Sequence, residues 1–262
     1  MADIHSRTFF VKETLMRMFT PLFMAVLLGC GTNGPQAPRA TSEDVRHEES
    51  APHNPVLFPK QSRPYGQSIE RWSELLWSYI YSIPVDQNPF FDTTGANCAV
   101  EQNGPVWFLP ATPGSSLGTN VSRSCTIPHD RAIMMQLSSA LNDFPCPDPN
   151  FHPAPGQSLY DFLIGGISPL FDGETGFVVS LDGVNIEDPL SYRFFSHDVF
   201  QFEPDLSMQA FDPCITQTNM QGVTDGFYLL FKPMTPGEHT LVINGHDMQG
   251  IRVTITEHLT IQ

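Results

Sequence analysis

Residues 251–261 constrain the fold most, because apolar and polar side chains alternate along them. Arginine, threonine and histidine separate the apolar members, which are Ile251, Val253, Ile255, Leu259 and Ile261. A period of two residues predicts a β-strand with one face in the core and the other in water, as in antiparallel sheets. Glu257 breaks the apolar series, which indicates either a bulge or a point where the strand leaves the core.

Short apolar runs and further alternating segments upstream predict a protein that is mainly β. Candidate strands lie at residues 106–109, 132–137, 177–182, 227–232 and 238–244. Asp182-Gly183 and Pro236-Gly237 have the composition of tight turns. Short strands joined by such turns favour an antiparallel β-sandwich of the jelly-roll or immunoglobulin-like type. Residues 142–157 and 203–222 are expected to form long loops.

One helix is expected ahead of the strands, at about residues 66–82. Its apolar side chains recur at helical spacing, at Ile69, Trp72, Leu76, Tyr79, Ile80 and Ile83. Ser68 is placed to cap the first turn, and Pro84 ends the helix because proline cannot continue it. We expect this amphipathic N-terminal helix to pack on the sheet.

The first 30 residues have the features of an export signal. Basic residues precede an apolar run over residues 18–28, which is too short to span a bilayer. The run ends in Leu27-Leu28-Gly29-Cys30, which resembles the lipobox of bacterial lipoproteins. That resemblance implies that residues 1–29 are a cleaved signal peptide and that the Cys30 thiol carries diacylglycerol. The alternative is an ordinary secretory signal with a cysteine nearby.

The same signal bears on location and domain organisation. Gly31 stands where lipoproteins retained in the inner membrane usually have aspartate. The resemblance therefore implies a cell-envelope protein anchored in the outer membrane of a Gram-negative bacterium. Residues 30–64 are rich in proline and poor in large apolar side chains, which predicts a flexible tether. Residues 65–262 are expected to form a single β-sandwich domain.

An excess of acidic residues limits the partners. The chain has 28 acidic and 13 basic residues, for a net charge of −15. Such a surface repels the phosphate backbone, so no nucleic-acid partner is expected. It also repels anionic headgroups, so contact with the membrane is expected through the lipid at Cys30 alone.

The remaining cysteines are even in number, which in an exported chain predicts disulfides. They are Cys98, Cys125, Cys146 and Cys214. Among the possible pairings we favour Cys98–Cys125 with Cys146–Cys214, because the first pair flanks one candidate hairpin. Free thiols or a zinc site are the alternatives, and the lack of a Cys-x-x-Cys spacing speaks against zinc.

Much of the chain after the tether resembles a group of exported bacterial proteins of unknown function. The shared residues up to residue 128 are Tyr65-Gly66, Trp72, Trp77, Ile83-Pro84, Asn88-Pro89, Asp92, Gly95, Cys98, Gly104 to Leu109, and Arg123 to Pro128. Those near the end are Asp225 to Leu230 and Pro236 to Thr240. The resemblance implies one module and transfers no catalytic residue.

One loop carries a cluster of oxygen ligands. Asp86, Asn88 and Asp92 follow the expected helix closely. Calcium takes six to eight oxygen ligands, so these residues are a candidate calcium site, although the glycine and the final glutamate of an EF-hand loop are missing. The alternative is that they turn the chain, as asparagine and aspartate often do. No other cofactor is expected.

Other chemistry-bearing residues match no known motif. The sequence has no Gly-x-Ser-x-Gly, and His129-Asp130 is interpreted as a polar turn rather than part of a triad. His239, His246 and His258 could hold a transition metal, but alternation places His239 and His258 on opposite faces. Several phenylalanines near turns either belong to the core or line a groove for sugar or peptide. They are Phe90, Phe91, Phe194, Phe195, Phe200 and Phe202.

These observations favour a non-enzymatic lipoprotein whose β domain binds an envelope ligand or partner protein. One alternative is an envelope hydrolase acting on glycan or peptide, for which the sequence shows no nucleophile or metal motif. Another is a structural surface lipoprotein. Two carboxylates in one cleft would favour the hydrolase, whereas exposed aromatic side chains without such a pair would favour binding.

Overall fold

The computed structural model describes residues 54–247 and 249–262. The expected signal peptide, Cys30 and most of the expected tether lie outside the described residues. The expected end of the tether at residue 64 is wrong, because Leu57 is 1% exposed in the core and forms a β-bridge with Phe231. Within the described part the protein is mainly β, with two five-stranded sheets. No helix in this part of the chain has both the length and the apolar character that crossing a bilayer requires.

The described part contains two α-helices and ten strands. The helices are α1, Ile69–Ser82, and α2, Leu159–Ile167. The strands are β1 Val106–Phe108, β2 Asn120–Ile127, β3 Ala132–Phe144, β4 Val178–Leu181, β5 Val184–Asn185, β6 Arg193–Phe195, β7 Phe200–Phe202, β8 Met220–Phe231, β9 Gly237–His246 and β10 Arg252–Ile261.

The two sheets differ in strand order. Sheet 1 has the order β1-β3-β8-β6, with β7 also paired to β8, and sheet 2 has the order β2-β10-β9-β4-β5. The expectation of antiparallel sheets is wrong for two pairs, because β1–β3 and β2–β10 are parallel. The physical reason is the path of the chain, which passes from sheet 1 to sheet 2 and back between β1 and β3. Such crossovers allow parallel neighbours, whereas hairpins do not.

The C-terminal hairpin follows the alternation in the sequence. Val253, Ile255, Leu259 and Ile261 of β10 are buried. Glu257 is buried with them, and the pairing of β10 with β9 and β2 continues through it without a shift. The expectation of a bulge or an exit from the core at Glu257 is therefore wrong.

The predicted N-terminal helix is present as α1, with shorter bounds than expected. The Ser68 hydroxyl caps it by accepting a hydrogen bond from the backbone N–H of Arg71 at 3.3 Å. The expected apolar stripe is buried, as are Trp77 and Tyr81 on its flank. Trp77 Nε1 donates to the Tyr228 hydroxyl of β8 at 2.9 Å, so α1 lies against sheet 1. One hydrophobic core takes side chains from α1 and from both sheets.

The two expected long loops are shorter in the structure. β3 runs to Phe144, β8 begins at Met220, and α2 was not expected. The last part of β3 carries buried polar side chains. A strand cannot be recognised there from the pattern of apolar residues. Asn142 Nδ2, for example, donates to the Leu163 carbonyl of α2 at 2.8 Å, and this bond offsets the desolvation of the amide.

The structure joins Cys98 to Cys125 and Cys146 to Cys214, which is the favoured pairing. The reason given for the first pair is wrong, because residues 98–125 do not form a hairpin. They contain β1 in sheet 1 and the first part of β2 in sheet 2. The disulfide instead ties the turn at Cys98 to the edge strand of sheet 2.

Candidate functional site

Arg123 and Glu257 form an ion pair inside sheet 2. They are directly opposite each other on the parallel strands β2 and β10. Their side chains are 3% and 0% exposed. Arg123 Nε donates to Glu257 Oε1 at 2.8 Å, and Arg123 Nη2 contacts the same oxygen. A buried charge is tolerable only when it is paired and hydrogen-bonded in this way.

The rest of the Arg123 guanidinium binds backbone carbonyls of two loops. Nη1 donates to the carbonyls of Pro89 at 3.2 Å and Asp92 at 3.4 Å, and Nη2 donates to that of Pro110 at 2.6 Å. The fixed fork of an arginine is suited to joining several acceptors at once. We call this arrangement of Arg123, Glu257 and the three carbonyls the Arg123 joint.

The loop beside the joint is held by its own turn residues. Asp92 accepts hydrogen bonds from the backbone N–H groups of Thr94 and Asn97, each at 2.8 Å. Gly95 has a φ of +89°, and a Cβ there would lie 2.1 Å from the Ser124 carbonyl oxygen of β2. Only glycine therefore lets this loop lie so close to the strand.

Six of the residues quoted for the resemblance meet beside the joint. Those that line the cavity beside the joint are Pro89, Asp92, Gly95, Cys98, Leu109 and Arg123, together with Pro110 and Glu257. The cavity has a volume of about 10 Å³, which is about the room that one water molecule needs. Burial raises the pKa of Glu257, and the charge of Arg123 opposes the rise. Such a small space points to a structural role for these residues.

Two of the three candidate calcium ligands, Asn88 and Asp92, bond to the chain itself. Asn88 Nδ2 donates to the carbonyls of Ile80 and Ile83 at 2.6 and 3.0 Å, and its Oδ1 accepts from the Phe90 N–H at 3.0 Å. Both carboxylate oxygens of Asp92 accept backbone N–H groups, and Asp86 is exposed. These are the bonds of residues that turn the chain, and calcium binding stays a prediction.

A second arginine–carboxylate pair lies in sheet 1. Arg193 of β6 donates to both oxygens of Asp225 on β8, from Nε at 2.9 Å and from Nη2 at 2.8 Å. The Ser168 hydroxyl donates to the same carboxylate at 2.6 Å, and Asp172 accepts from Nη1 at 2.8 Å. Asp225 is 0% exposed, whereas Arg193 is 27% exposed. We call this group the Arg193 pair.

The histidines considered as metal ligands do not come together. His258 Nε2 lies 3.2 Å from the Ser122 hydroxyl, and His239 lies between Asp182 and the Thr235 carbonyl. Among the described residues, one group of possible ligand atoms gathers within 4.8 Å, from Asp143, Asp212 and Cys214. The Cys214 sulfur is bonded to Cys146, so it is no thiolate ligand.

The carboxylates of Asp143 and Asp212 are the close pair in that group. Asp143 is 1% exposed. Asp212 accepts a hydrogen bond from the buried Tyr81 hydroxyl at 3.1 Å and one from the Cys214 N–H at 3.0 Å. A substrate must reach both carboxylates in a hydrolase, and Asp143 is sealed from solvent.

The aromatic side chains named from the sequence belong mostly to the core. Phe90, Phe194, Phe200 and Phe202 are buried, and Phe195 is 39% exposed. Tyr65 was not expected to be an exposed aromatic, but it is 44% exposed. The sequence feature that marks this position is the Tyr65-Gly66 pair. Both residues have a positive φ, of 55° and 83°.

Tyr65 has an unusual backbone conformation that neighbouring contacts hold in place. A non-glycine residue with positive φ carries about 1–3 kcal/mol of strain, which persists only where the surroundings fix it. Trp72 Nε1 donates to the Pro64 carbonyl at 3.1 Å, and the Gly66 N–H donates to the Arg63 carbonyl at 3.1 Å. The Tyr65 ring meets the edges of Phe58 and Trp72 at centroid distances of 6.1 and 6.4 Å.

The comparisons with known proteins give no family. No family model matches the chain, and no curated protein matches it. A solved structure described as "Solution Structure of Amebosin" is 11% identical over 61% of this chain and 100% of its own length, with a TM-score of 0.21. A similarity this low carries no conclusion about fold or function.

Proposed function

We propose that the protein is a lipid-anchored cell-envelope protein whose β domain binds an envelope ligand or partner without catalysing a reaction. The anchor is Cys30, the membrane is the outer membrane, and the tether runs from residue 30 to the start of the folded part near residue 54, where Leu57 is buried in the core. In this proposal the two sheets pack face to face as a sandwich, with α1 on sheet 1. The single core shared by the sheets and α1 supports that arrangement.

The observation that carries the binding function is Tyr65. Tyrosine combines a large ring with a hydroxyl, so it contacts ligands at low cost in conformational entropy. Burial and the charge of Asp130 raise the pKa of the Tyr65 hydroxyl, while Arg131 lowers it. A tyrosine hydroxyl is neutral near pH 7 even at its ordinary pKa, so the Tyr65 hydroxyl can both donate and accept hydrogen bonds.

The test is sedimentation of the purified full chain with isolated envelope fragments. The chain carries Cys30→Ser, so that no acyl chain contributes to membrane association. We expect Tyr65→Ala to weaken the apparent affinity about tenfold, the effect of losing an aromatic residue central to an interface. Phe195→Ala, at a similarly exposed ring, is the matched control and should change the affinity less than about twofold.

Each outcome of that test decides between functions. Loss of binding in Phe195→Ala but not in Tyr65→Ala would place the contact on β6 instead. If the parent chain does not sediment with the fragments, a structural surface role replaces the binding function.

The lipid anchor has a separate test. Cells that express the full chain are labelled with palmitate, and the protein is isolated. We expect label in the parent chain and none in Cys30→Ser. Label that persists in the variant would refute the lipobox interpretation.

A hydrolase is the second candidate; its carboxylates would be the close pair Asp143 and Asp212, and the burial of Asp143 speaks against it. Glycan and peptide hydrolysis by the purified chain is compared with that of Asp212→Asn. Turnover that disappears in the variant while the unfolding midpoint is kept would favour the hydrolase over the binding function.

A further inference from the structure

His239 joins three segments at one end of sheet 2. It lies near the start of β9, and Nδ1 is 2.7 Å from Asp182 Oδ2 in the β4–β5 turn. Nε2 is 2.9 Å from the Thr235 carbonyl oxygen in the loop between β8 and β9. Asp182 also accepts the Thr240 N–H on its other oxygen at 2.8 Å. The His239 side chain is 15% exposed.

Both partners of the ring are acceptors only. A carboxylate and a backbone carbonyl have no proton to donate, so each of the two contacts needs an N–H on the imidazole. A neutral imidazole has one N–H, and an imidazolium has two. The complete arrangement therefore requires protonated His239.

Few other charges act on this ring. Glu238 on the same strand adds a weaker negative charge, and its carboxylate accepts from the Thr260 hydroxyl at 3.1 Å. On β10 the residue opposite His239 is Leu259. The nearest charge on that face of β10 is Glu257, which is already paired with Arg123.

The loop before β9 is also fixed at its other end. The Lys232 N–H donates to the Val56 carbonyl at 2.9 Å, and Lys232 Nζ donates to the Pro55 carbonyl at 2.8 Å. Thr235 is bound through its carbonyl to His239. The position of residues 233–236 therefore depends on the second ring proton.

We propose that His239 is a pH-sensitive latch, in which the protonated ring fastens the β4–β5 turn and the loop of residues 232–236 to β9. Loss of one ring proton to solvent releases one of these two segments. The carbonyl contact is the weaker of the two, so the loop is released first. A ring held in this way is also a poor general base, because Nε2 is not available to accept a proton.

The pH range in which the latch is closed follows from the directions in which the pKa values of His239 and Asp182 are shifted. The bond to Asp182 raises the pKa of His239, so this stabilisation is present at low pH and is lost as the pH rises through the His239 pKa. Burial raises the pKa of Asp182, but the bonds from Thr240 and His239 outweigh it and lower the value. Stabilisation by Asp182 is lost as the pH falls through its lowered pKa. The latch is closed between these limits.

Histidine ring nitrogens in the full chain, followed by NMR over a pH series, test the latch. His239→Gln assigns the signals. We expect both His239 nitrogens to be protonated in the closed state, and the amides of residues 232–236 to shift with the same midpoint. Asp182→Asn should lower that midpoint.

Glu238→Gln is the matched control, since it removes a neighbouring carboxylate that does not bond to the ring. It should lower the midpoint less than Asp182→Asn does. Equal shifts in the two variants, or loop amides that do not follow His239, would overturn the latch. Unchanged folding of each variant is checked by circular dichroism. If Asp182→Asn unfolds, Asp182→Ser replaces it, for which a lowered midpoint is again expected because the carboxylate is removed.

Discussion

The Arg123 joint and the Arg193 pair contain the same chemistry in different surroundings. Each has an arginine on one strand and a fully buried carboxylate on a neighbouring strand. At the joint the arginine is sealed as well, and its remaining donors bind backbone carbonyls. In the Arg193 pair the arginine reaches solvent and also binds the exposed Asp172. Water can replace a lost partner only at the second site, which indicates that the joint contributes more to stability.

The largest effect is expected from Arg123→Ala. The change leaves the Glu257 carboxylate buried and unpaired and releases the carbonyls of the two loops. Breaking a buried pair in this way costs about 3–5 kcal/mol. Urea unfolding at pH 7 measures the loss, and a change below about 1 kcal/mol would break the comparison, since a solvent-exposed pair loses no more than that.

Alanine substitutions at two glycines compare how tightly the backbone is packed beside each site. Gly95 beside the joint and Gly173 beside the Arg193 pair both have positive φ, but a Cβ on Gly173 would meet nothing within 4 Å. Gly173→Ala should cost about 1–2 kcal/mol, from the left-handed backbone alone. Gly95→Ala should cost about 2–4 kcal/mol, because the Cβ also strikes the Ser124 backbone. Equal unfolding midpoints would show that the loop at Gly95 moves away freely.

Arg193→Ala is expected to have a smaller effect than Arg123→Ala. Asp225 keeps the hydrogen bond from Ser168, and water reaches the space that the guanidinium leaves. The loss of a charged hydrogen-bonding partner is then about 1–2 kcal/mol. A loss as large as that of Arg123→Ala, measured in the same urea series, would show that solvent access does not matter here.

The smallest effect is expected from Asp172→Asn. Asp172 is 68% exposed, so its bond to Arg193 is screened by water and salt. Exposed pairs contribute about 0–1 kcal/mol, and we expect the low end of that range in 0.15 M salt. A larger loss that persists at 1 M salt would mean that Asp172 positions Arg193 by geometry rather than by charge.

The local parts of the fold could be predicted from the sequence. Ser68 as the cap of α1, the Asp182-Gly183 turn between β4 and β5, and the last two strands are all in the structure. The parallel pairs and α2 could not be predicted. They depend on crossovers between sheets and on tertiary bonds such as that from Asn142 to α2, which leave no periodic pattern.

The candidate sites also depend on contacts between distant residues that the sequence pattern does not reveal. Glu257 stood out because it interrupts an apolar series, but its partner Arg123 is 134 residues away along the chain. No local rule connects two residues at that distance, so the sequence alone predicts a bulge or an exit from the core at Glu257. Tyr65 was quoted in a motif, yet its exposure depends on the loop that Trp72 fixes from α1.

A double-mutant cycle at the Arg123 joint tests most directly whether the gathered motif residues form a structural element. The variants are Arg123→Met, Glu257→Leu and the two combined, and the free energy of unfolding is measured for each. Each single change leaves one buried charge without its partner, whereas the double change leaves none. We predict that the double variant is more stable than either single variant. A double variant that loses the sum of the two single losses would contradict the account.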